Sequence, residues 1–163
     1  MCADCTELHL ANRGIDKLAD FHRFANLECL WLNGNCLAAV EGLDTNFRLQ
    51  ELYIHDNLIS TLAGSLGVLS FLRVLDASNN KLSKLRAVLQ YLSKLHFVES
   101  LNLSGNACCQ ETGYREAVIK AMPSLCILDN LVVSTAERKG AQVCWSICTP
   151  RACLQVVSSC FEV

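Results

Sequence analysis

The feature that most constrains this chain is a short leucine frame that returns along most of its length. One copy runs from Leu27 to Leu37 and reads L-x-x-L-x-L-x-x-N-x-L. Copies begin at positions 5, 27, 49, 72 and 98, with a partial copy at 125, so the steps are 22, 22, 23, 26 and 27 residues. A period within about 20–50 residues indicates stacked units, each with one short strand and one return segment.

Stacking is necessary because one unit is too small to bury its own leucines, whereas neighbouring units bury them together in a continuous core. The chain has 163 residues, of which 52% are hydrophobic, so one domain with a sizeable core is expected. Its formal net charge of −2 gives no reason to expect nucleic acid or an anionic membrane as a partner. We see no apolar run near the ~18 residues of a membrane-spanning helix.

An asparagine recurs in the turn after the strand, at Asn35, Asn57, Asn80 and Asn106, while Arg13 takes this place in the first copy. A side-chain amide carries both donors and acceptors. The chain turns inward at this point and leaves backbone groups that need partners. We therefore expect each asparagine to bridge its own turn and the next one, in a structural and not a catalytic role.

The return segments have their own periodicity. Apolar residues recur every third position in the first return (Ile15, Leu18, Phe21, Phe24, Leu27) and in the second (Leu37, Val40, Leu43), which favours 3₁₀-like turns. The fourth return, from Leu82 to Leu95, has a helical period and predicts an α-helix. A short helix from Glu116 to Met122, stopped by Pro123, is expected to cover the last repeat as a cap.

With these motifs the chain resembles the 22-residue subclass of leucine-rich repeats over about residues 5–140. That group includes the nuclear regulatory subunit of protein phosphatase 1, a spliceosomal subunit, acidic nuclear phosphoproteins and the leucine-rich light chain of axonemal dynein. Its C-terminal cap pattern is matched by Tyr114, Arg115, Val118, Ile119, Pro123, Leu125, Leu128, Asp129, Val133, Glu137 and Arg138. Departures are Arg13, Ala77 in place of a core leucine, and Ala107 where the group often has proline.

The resemblance implies an α/β fold: a right-handed leucine-rich-repeat solenoid with a parallel concave sheet, a 3₁₀ or helical convex side and a C-terminal cap. We expect a repeat domain over residues 1–140, with five repeats and a cap at about 107–140. Residues 141–163 form a cysteine-rich tail that we expect to be poorly ordered. The first strand begins about five residues from Met1, with no cap before it, so we expect an open edge there.

The alternation of a strand predicts which side chains face the concave side, because the leucines point inward and the residues between them point outward. Exposed aromatic residues beside charged ones are typical of binding hot spots. The predicted partner-binding residues share this face: His9, Trp31, Tyr53, Asp76, Glu7, Glu28, Glu51, His55 and Asp56. The expected partner is another protein that offers a basic or amphipathic segment, as a peptide or a helix.

The sequence contains no phosphate loop, no H-E-x-x-H and no G-x-S-x-G, so we predict neither enzymatic activity nor a cofactor or metal. The eleven cysteines are odd in number and irregular in spacing, which argues against a disulfide framework. Those inside the repeats are expected to pack as small apolar residues: Cys5, Cys29, Cys36, Cys108 and Cys126. The alternative is a zinc-dependent protein that uses Cys144, Cys148 and Cys153, although their spacing lacks the paired form of structural sites.

The sequence thus predicts a non-enzymatic protein–protein interaction scaffold that binds on its concave face. The resemblance adds three settings: a cytoskeletal or ciliary complex, a phosphatase that the chain regulates, or a ribonucleoprotein assembly. The N-terminus has neither a basic start nor an apolar segment, so it is no secretory signal. We therefore expect the cytoplasm, with the cilium and the nucleus as alternatives.

Overall fold

The computed structural model describes residues 5–140, and in that part seven short strands form one sheet in chain order. The strands are β1 (Glu7–His9), β2 (Cys29–Trp31), β3 (Glu51–Tyr53), β4 (Val74–Asp76), β5 (Ser100–Asn102), β6 (Ile127–Leu128) and β7 (Leu131–Val132). β1 to β6 pair in parallel, and β7 pairs with β6 antiparallel. Neighbours in sequence are also neighbours in space, as in a solenoid, so the predicted fold class is confirmed.

The strands pair without offset, so that equivalent positions of the repeats are adjacent. Leu30 in β2 pairs with Leu52 in β3, which pairs with Leu75 in β4, and all three are essentially fully buried. Leu8 pairs with Leu30 from the outer strand β1 and is only partly buried. The leucine frame therefore builds one continuous core, as the period predicts.

Three helices lie on the return side: α1 (Leu85–Leu92), α2 (Tyr114–Ala121) and α3 (Thr135–Gly140). α1 buries Leu85, Val88 and Leu92 and confirms the helix predicted in the fourth return. Short 3₁₀ helices occupy Phe21–Arg23, Ser65–Val68 and Ala107–Gln110, and the first of these confirms the prediction for the first return. None of the helices in the described part has the length and apolar composition needed to cross a bilayer.

The second return is where the three-residue period is misleading. Leu37, Val40 and Leu43 are all buried, yet they form no 3₁₀ helix. Instead Val40 makes a parallel bridge with Gly64, and the backbone N–H of Ser65 donates to the Val40 carbonyl at 2.9 Å. Extended backbone buries every third residue here because the neighbouring return supplies its hydrogen bonds.

The asparagines form a ladder of buried amides, but each one bridges backward and not forward. Asn57 Nδ2 donates to the carbonyls of Ile54 in its own repeat and Leu32 in the preceding one, both at 3.0 Å. Asn57 Oδ1 accepts from Leu37 N, also in the preceding repeat, at 3.0 Å. Asn35, Asn80 and Asn106 repeat this pattern. The prediction of a structural role is confirmed, whereas the expected bond to the next turn is wrong.

The residue before the asparagine has a conformation that the frame did not predict. In the five repeats this position has a positive φ between 51° and 73°, and it is occupied by Asn12, Gly34, Asp56, Asn79 and Gly105. Only Gly, Asn and Asp adopt this left-handed region at low cost. At Gly34 a Cβ atom would lie 2.0 Å from Asn12 Oδ1, so the glycine also lets neighbouring turns approach closely.

The cap covers the last repeat as predicted, with Val118, Ile119 and Met122 buried. Its helix α2 begins at Tyr114, two residues before the predicted Glu116, because Gly113 supplies the left-handed turn that starts it. The Tyr114 hydroxyl donates to Asp129 Oδ2 at 3.0 Å, and Asp129 Oδ1 accepts from Leu103 N at 2.8 Å. Asp129 thereby connects the cap to the fifth repeat.

A polar cluster of Arg115, Ser134 and Glu137 lies in the last part of the cap. Arg115 Nε donates to Glu137 Oε1 at 2.6 Å, and its guanidinium also donates to the Leu128 and Val132 carbonyls at 3.2 Å. Ser134 and Glu137 form a reciprocal capping box at the start of α3. These hydrogen bonds, from Arg115 first and then from Ser134, lower the pKa of Glu137 from its ordinary 4.5 to about 2.

The cysteines follow the packing prediction in part. Cys29, Cys108 and Cys126 are buried, and burial raises the pKa of the Cys108 thiol to about 12. Cys5 is only partly buried and Cys36 is exposed, so neither is a core residue. Cys126 is disulfide-bonded, so the expectation of a free thiol is wrong at this position. The zinc alternative rests on residues of the tail, which lie outside the described part of the chain.

We expect Asn57→Leu to lower the free energy of unfolding by at least about 2 kcal/mol, because it leaves buried carbonyls and the Leu37 N–H without partners. Urea unfolding followed by circular dichroism measures this. Gln90→Leu on the exposed side of α1 is the control and should stay within about 0.5 kcal/mol of the wild type. A similarly small change for Asn57→Leu would contradict the structural role of the ladder.

The cap cluster predicts a pH dependence. Because the folded pKa of Glu137 is lower than its unfolded value, its contribution to stability is complete above pH 4.5 and disappears as the pH falls to about 2. Glu137→Gln should therefore be less stable than the wild type at neutral pH, and the difference should shrink across that window. Urea midpoints measured against pH test this, with the exposed Glu41→Gln as control. A difference that does not depend on pH would count against the ion pair.

Candidate functional site: the concave groove

Three rings form a column along the concave side of the sheet. His9, Trp31 and Tyr53 end β1, β2 and β3, and the strand register places each beside the next. The rings of His9 and Trp31 stack with their centroids 3.7 Å apart, and those of Trp31 and Tyr53 with centroids 5.5 Å apart. Since neighbouring strands lie about 4.8 Å apart, the stack follows directly from the register. Trp31 is covered on both faces, so it offers the edge of its indole to the groove.

Beyond Tyr53 the same column becomes polar. Asp76 in β4 pairs with Tyr53, and Asn102 in β5 pairs with Asp76. Asp76 Oδ1 accepts from the Ser78 hydroxyl at 2.7 Å, and Asp76 Oδ2 accepts from Asn102 Nδ2 at 3.2 Å. The protein itself therefore already provides hydrogen bonds to both oxygens of this carboxylate.

A second column, at the start of the same strands, contains Glu7, Cys29 and Glu51. Glu51 Oε2 accepts from the Tyr53 hydroxyl at 2.9 Å and from Cys29 Sγ at 3.4 Å, so this carboxylate holds the Tyr53 ring in place. Burial and then the carboxylates of Glu51 and Glu7 raise the pKa of the Cys29 thiol. Because a thiol must lose its proton to act as a nucleophile or metal ligand, Cys29 is suited to neither role.

Two further predicted residues, His55 and Asp56, follow β3. His55 Nδ1 lies 2.7 Å from Asp56 Oδ2, and Asn79 Nδ2 donates to Asp56 Oδ1 at 3.0 Å. The contact with His55 first, and the bond from Asn79 second, lower the pKa of Asp56. His55 faces the concave side, while Asp56 occupies the left-handed turn position beyond it.

The columns together line one groove of about 800 Å³ on the concave side. It contains eight of the nine predicted residues, and Asp56 is the one that does not line it. Six further residues line the groove without having been selected: Thr6, Cys29, Asn33, Gln50, Asn102 and Asn130. Asn130 belongs to the turn between β6 and β7, which the leucine frame does not describe. In residues 5–140 no group of three or more His, Cys, Asp or Glu side chains is placed to hold a metal ion.

The groove therefore combines aromatic edges with carboxylates and carries no lysine or arginine of its own. Aromatic edges and the stem of a long side chain make favourable apolar contacts, and the carboxylates attract a cationic head group. This chemistry suits binding of a basic or amphipathic segment better than it suits a reaction.

No protein-family model matches the chain. Among curated proteins, it is 35% identical over 109 residues to human leucine-rich repeat-containing protein 23, which covers 67% of this chain and 32% of that protein. It is also 35% identical over 124 residues to the alpha subunit of mouse geranylgeranyl transferase type-2, covering 76% of this chain and 22% of that subunit. The chain thus spans between about a fifth and a third of the length of these relatives.

Among solved structures, the chain is similar to one in the SNF/U2A′ complex of Drosophila melanogaster, with a TM-score of 0.78 and 22% identity. The match covers 94% of this chain and 87% of that one. At this identity the likeness concerns the fold alone. Fold, repeat frame and sequence relatives agree, and we conclude that this chain is a leucine-rich-repeat protein.

Proposed function

We propose that this chain is a non-catalytic scaffold that binds a basic or amphipathic segment of another protein in the concave groove. The observation that carries the proposal is the stacked column of His9, Trp31 and Tyr53 beside Glu7 and Glu51. Solubility gives no reason for three aromatic rings in adjacent repeats on the concave surface, which is not part of the core. Aromatic residues that are held rigid and bordered by charges are the usual energetic centre of a protein interface.

The preorganised geometry supports binding in energetic terms. Trp31 is held between two rings, and Tyr53 is anchored by its hydroxyl to Glu51, so little side-chain entropy is lost when a partner contacts them. The stacked rings offer edges rather than faces, which favours aliphatic contacts over a cation placed above the indole. A lysine or arginine fits this arrangement when its stem lies along the ring edges and its charge reaches Glu28 or Glu51.

The relatives support a scaffold role without transferring an activity. The name of one relative denotes a transferase subunit, yet this chain matches only 22% of it, so the match gives no reason to expect catalysis here. The structure of similar fold comes from a protein complex, SNF/U2A′, which shows that such a solenoid takes part in an assembly in that case. A cytoskeletal or ciliary complex in the cytoplasm is the setting we propose, on the resemblance to the dynein light chain. Phosphatase regulation and ribonucleoprotein assembly are the alternatives.

We expect the double substitution Trp31→Ala and Tyr53→Ala to abolish capture of the partner, because it removes the ring edges while the buried leucines stay in place. Affinity capture with the full chain, followed by mass spectrometry, identifies proteins that the wild type retains and the double variant loses. The matched control is Trp31→Phe with Tyr53→Phe, which keeps a ring in each position and should keep the partner. Circular dichroism of both variants checks that the fold is intact.

If the alanine variant is folded and still captures the same proteins, the concave-groove proposal is wrong. A second test follows from the charge of the groove. Glu7→Lys with Glu28→Lys, both exposed, should weaken binding of the captured partner and reduce its sensitivity to salt. Unchanged affinity and unchanged salt dependence would contradict the basic nature of the partner segment.

A further inference from the structure

A second groove lies at the edge of the sheet where the strands begin. Phe47, Phe71 and Phe97 belong to three successive repeats and stand one or two residues before the first frame position of each. These residues are 52%, 59% and 59% exposed, although each has a buried residue beside it in the sequence. Together with Arg48 and Arg73 they line one cavity of about 610 Å³. We call this the edge groove.

The exposed apolar area is large for a surface feature. A phenylalanine presents roughly 150–250 Å² when fully accessible, so three half-exposed rings leave on the order of 300 Å² open to solvent. Patches of this size are among the largest on a monomeric protein and often mark an interaction site. The rings are also confined to one edge, whereas the other large exposed side chains, such as Leu58 and Val68, do not line this cavity.

The charge of the edge groove differs from that of the concave groove. Arg48 Nη1 donates to Asn26 Oδ1 at 3.2 Å and makes no ion pair among the described residues. Arg73 pairs with Glu99 at 3.2 Å but is itself 58% exposed, so its guanidinium stays accessible. Glu28 and Gln50 line both grooves and form the boundary between them. Glu28 is the one carboxylate in the lining and Glu99 pairs with Arg73, so the cationic group left for a partner is mainly Arg48. Beside the apolar rings it selects a partner that is acidic as well as apolar.

We propose that the edge groove binds an acidic amphipathic helix of a partner protein, with apolar anchors on the phenylalanines and a carboxylate on Arg48. The repeat spacing fits a helix that runs across the repeats. Two strand steps of about 4.8 Å span roughly 10 Å, and residues i and i+7 of an α-helix are about 10.5 Å apart. Anchors at i, i+4 and i+7 therefore match Phe47, Phe71 and Phe97 in turn.

A second copy of this chain fits the edge groove less well. A symmetric pair would bring the same patch of both copies together, which places Arg48 and Arg73 of one copy near their equivalents in the other. Like charges at such an interface oppose association. The proposal stands apart from the concave groove, since the two sites share only their boundary and have opposite charge preferences.

The test uses a fluorescent helical peptide with leucine at i, i+4 and i+7 and glutamate on both flanks, and a matched peptide with lysine in place of glutamate. Fluorescence anisotropy with the full chain measures binding. Both peptides are measured on the chain with Trp31→Ala and Tyr53→Ala, because the concave groove of the wild type is itself proposed to bind a basic amphipathic segment. On this background we expect the glutamate peptide to bind at least about tenfold more tightly than the lysine peptide. Phe71→Ala with Phe97→Ala should weaken it by a similar factor, and Arg48→Glu should reverse the preference in favour of lysine.

Two control variants keep the edge groove distinct from the concave groove. Leu58→Ala removes an exposed apolar side chain elsewhere, and Trp31→Ala with Tyr53→Ala removes the concave rings; both should bind the glutamate peptide as the wild type does. Equal binding of the two peptides to the chain with Trp31→Ala and Tyr53→Ala, or no binding of either, would overturn the proposal. So would sedimentation that shows a dimer of the wild type dissolved by Phe71→Ala with Phe97→Ala, since the edge would then join two copies.

Discussion

The buried amide of the repeat asparagine is the interaction on which the rest of this structure depends. Each return segment leaves the sheet through a turn whose carbonyls and N–H groups point into an apolar core, where an unpaired group is costly. Asn57 bonds to the Ile54 and His55 carbonyls in its own repeat. It also bonds to the Leu32 carbonyl and the Leu37 N–H in the preceding repeat. Because one side chain holds two neighbouring turns at a fixed distance, the repeats cannot slide against each other. The register of the sheet, and with it both grooves, follows from this.

Because the register is fixed, residues at the same frame position in successive repeats lie side by side and form a continuous surface. The ring of Trp31 stacks with its neighbours because β1, β2 and β3 pair without offset, not because the rings attract one another strongly. A shift of one residue would send the rings into the core and the leucines to the surface. The scaffold positions are thus nearly invariant between repeats, and the positions between them are free to encode a binding surface. In this chain they form an acidic aromatic groove on the concave side and, at the edge of the sheet, a groove of phenylalanines with two arginines.

Much of this was predictable from the sequence, since alternation along a strand and a constant repeat length determine which residues share a face. Trp31 and Tyr53 were placed on the concave side for that reason. The backward direction of the Asn57 bridge was not predictable, because an amide has donors and acceptors for either neighbour and the spacing is the same. Asp56 leaves the groove because its position needs a left-handed conformation, which the frame does not reveal.

The repeat frame did not predict the edge groove, for a different reason. Phe47, Phe71 and Phe97 precede the first leucine-type position by one or two residues, so no single frame position lists all three. Asn46 also lies outside the frame, three residues before Leu49. It is a buried amide on the return side that donates to the Phe21 and Phe24 carbonyls at 3.2 and 2.8 Å. Segments of variable length between strands shift these residues relative to the frame. Which of these residues meet depends on the three-dimensional fold.

The central claim is that a partner contacts the stacked rings of the concave groove. The most direct measurement is a nuclear magnetic resonance titration of the isotope-labelled chain with the captured partner segment, following the indole N–H of Trp31, assigned through Trp31→Phe. The account predicts that this signal and those of His9 and Tyr53 shift most and saturate together. Shifts that leave the Trp31 indole unchanged while residues of the convex returns respond would contradict it.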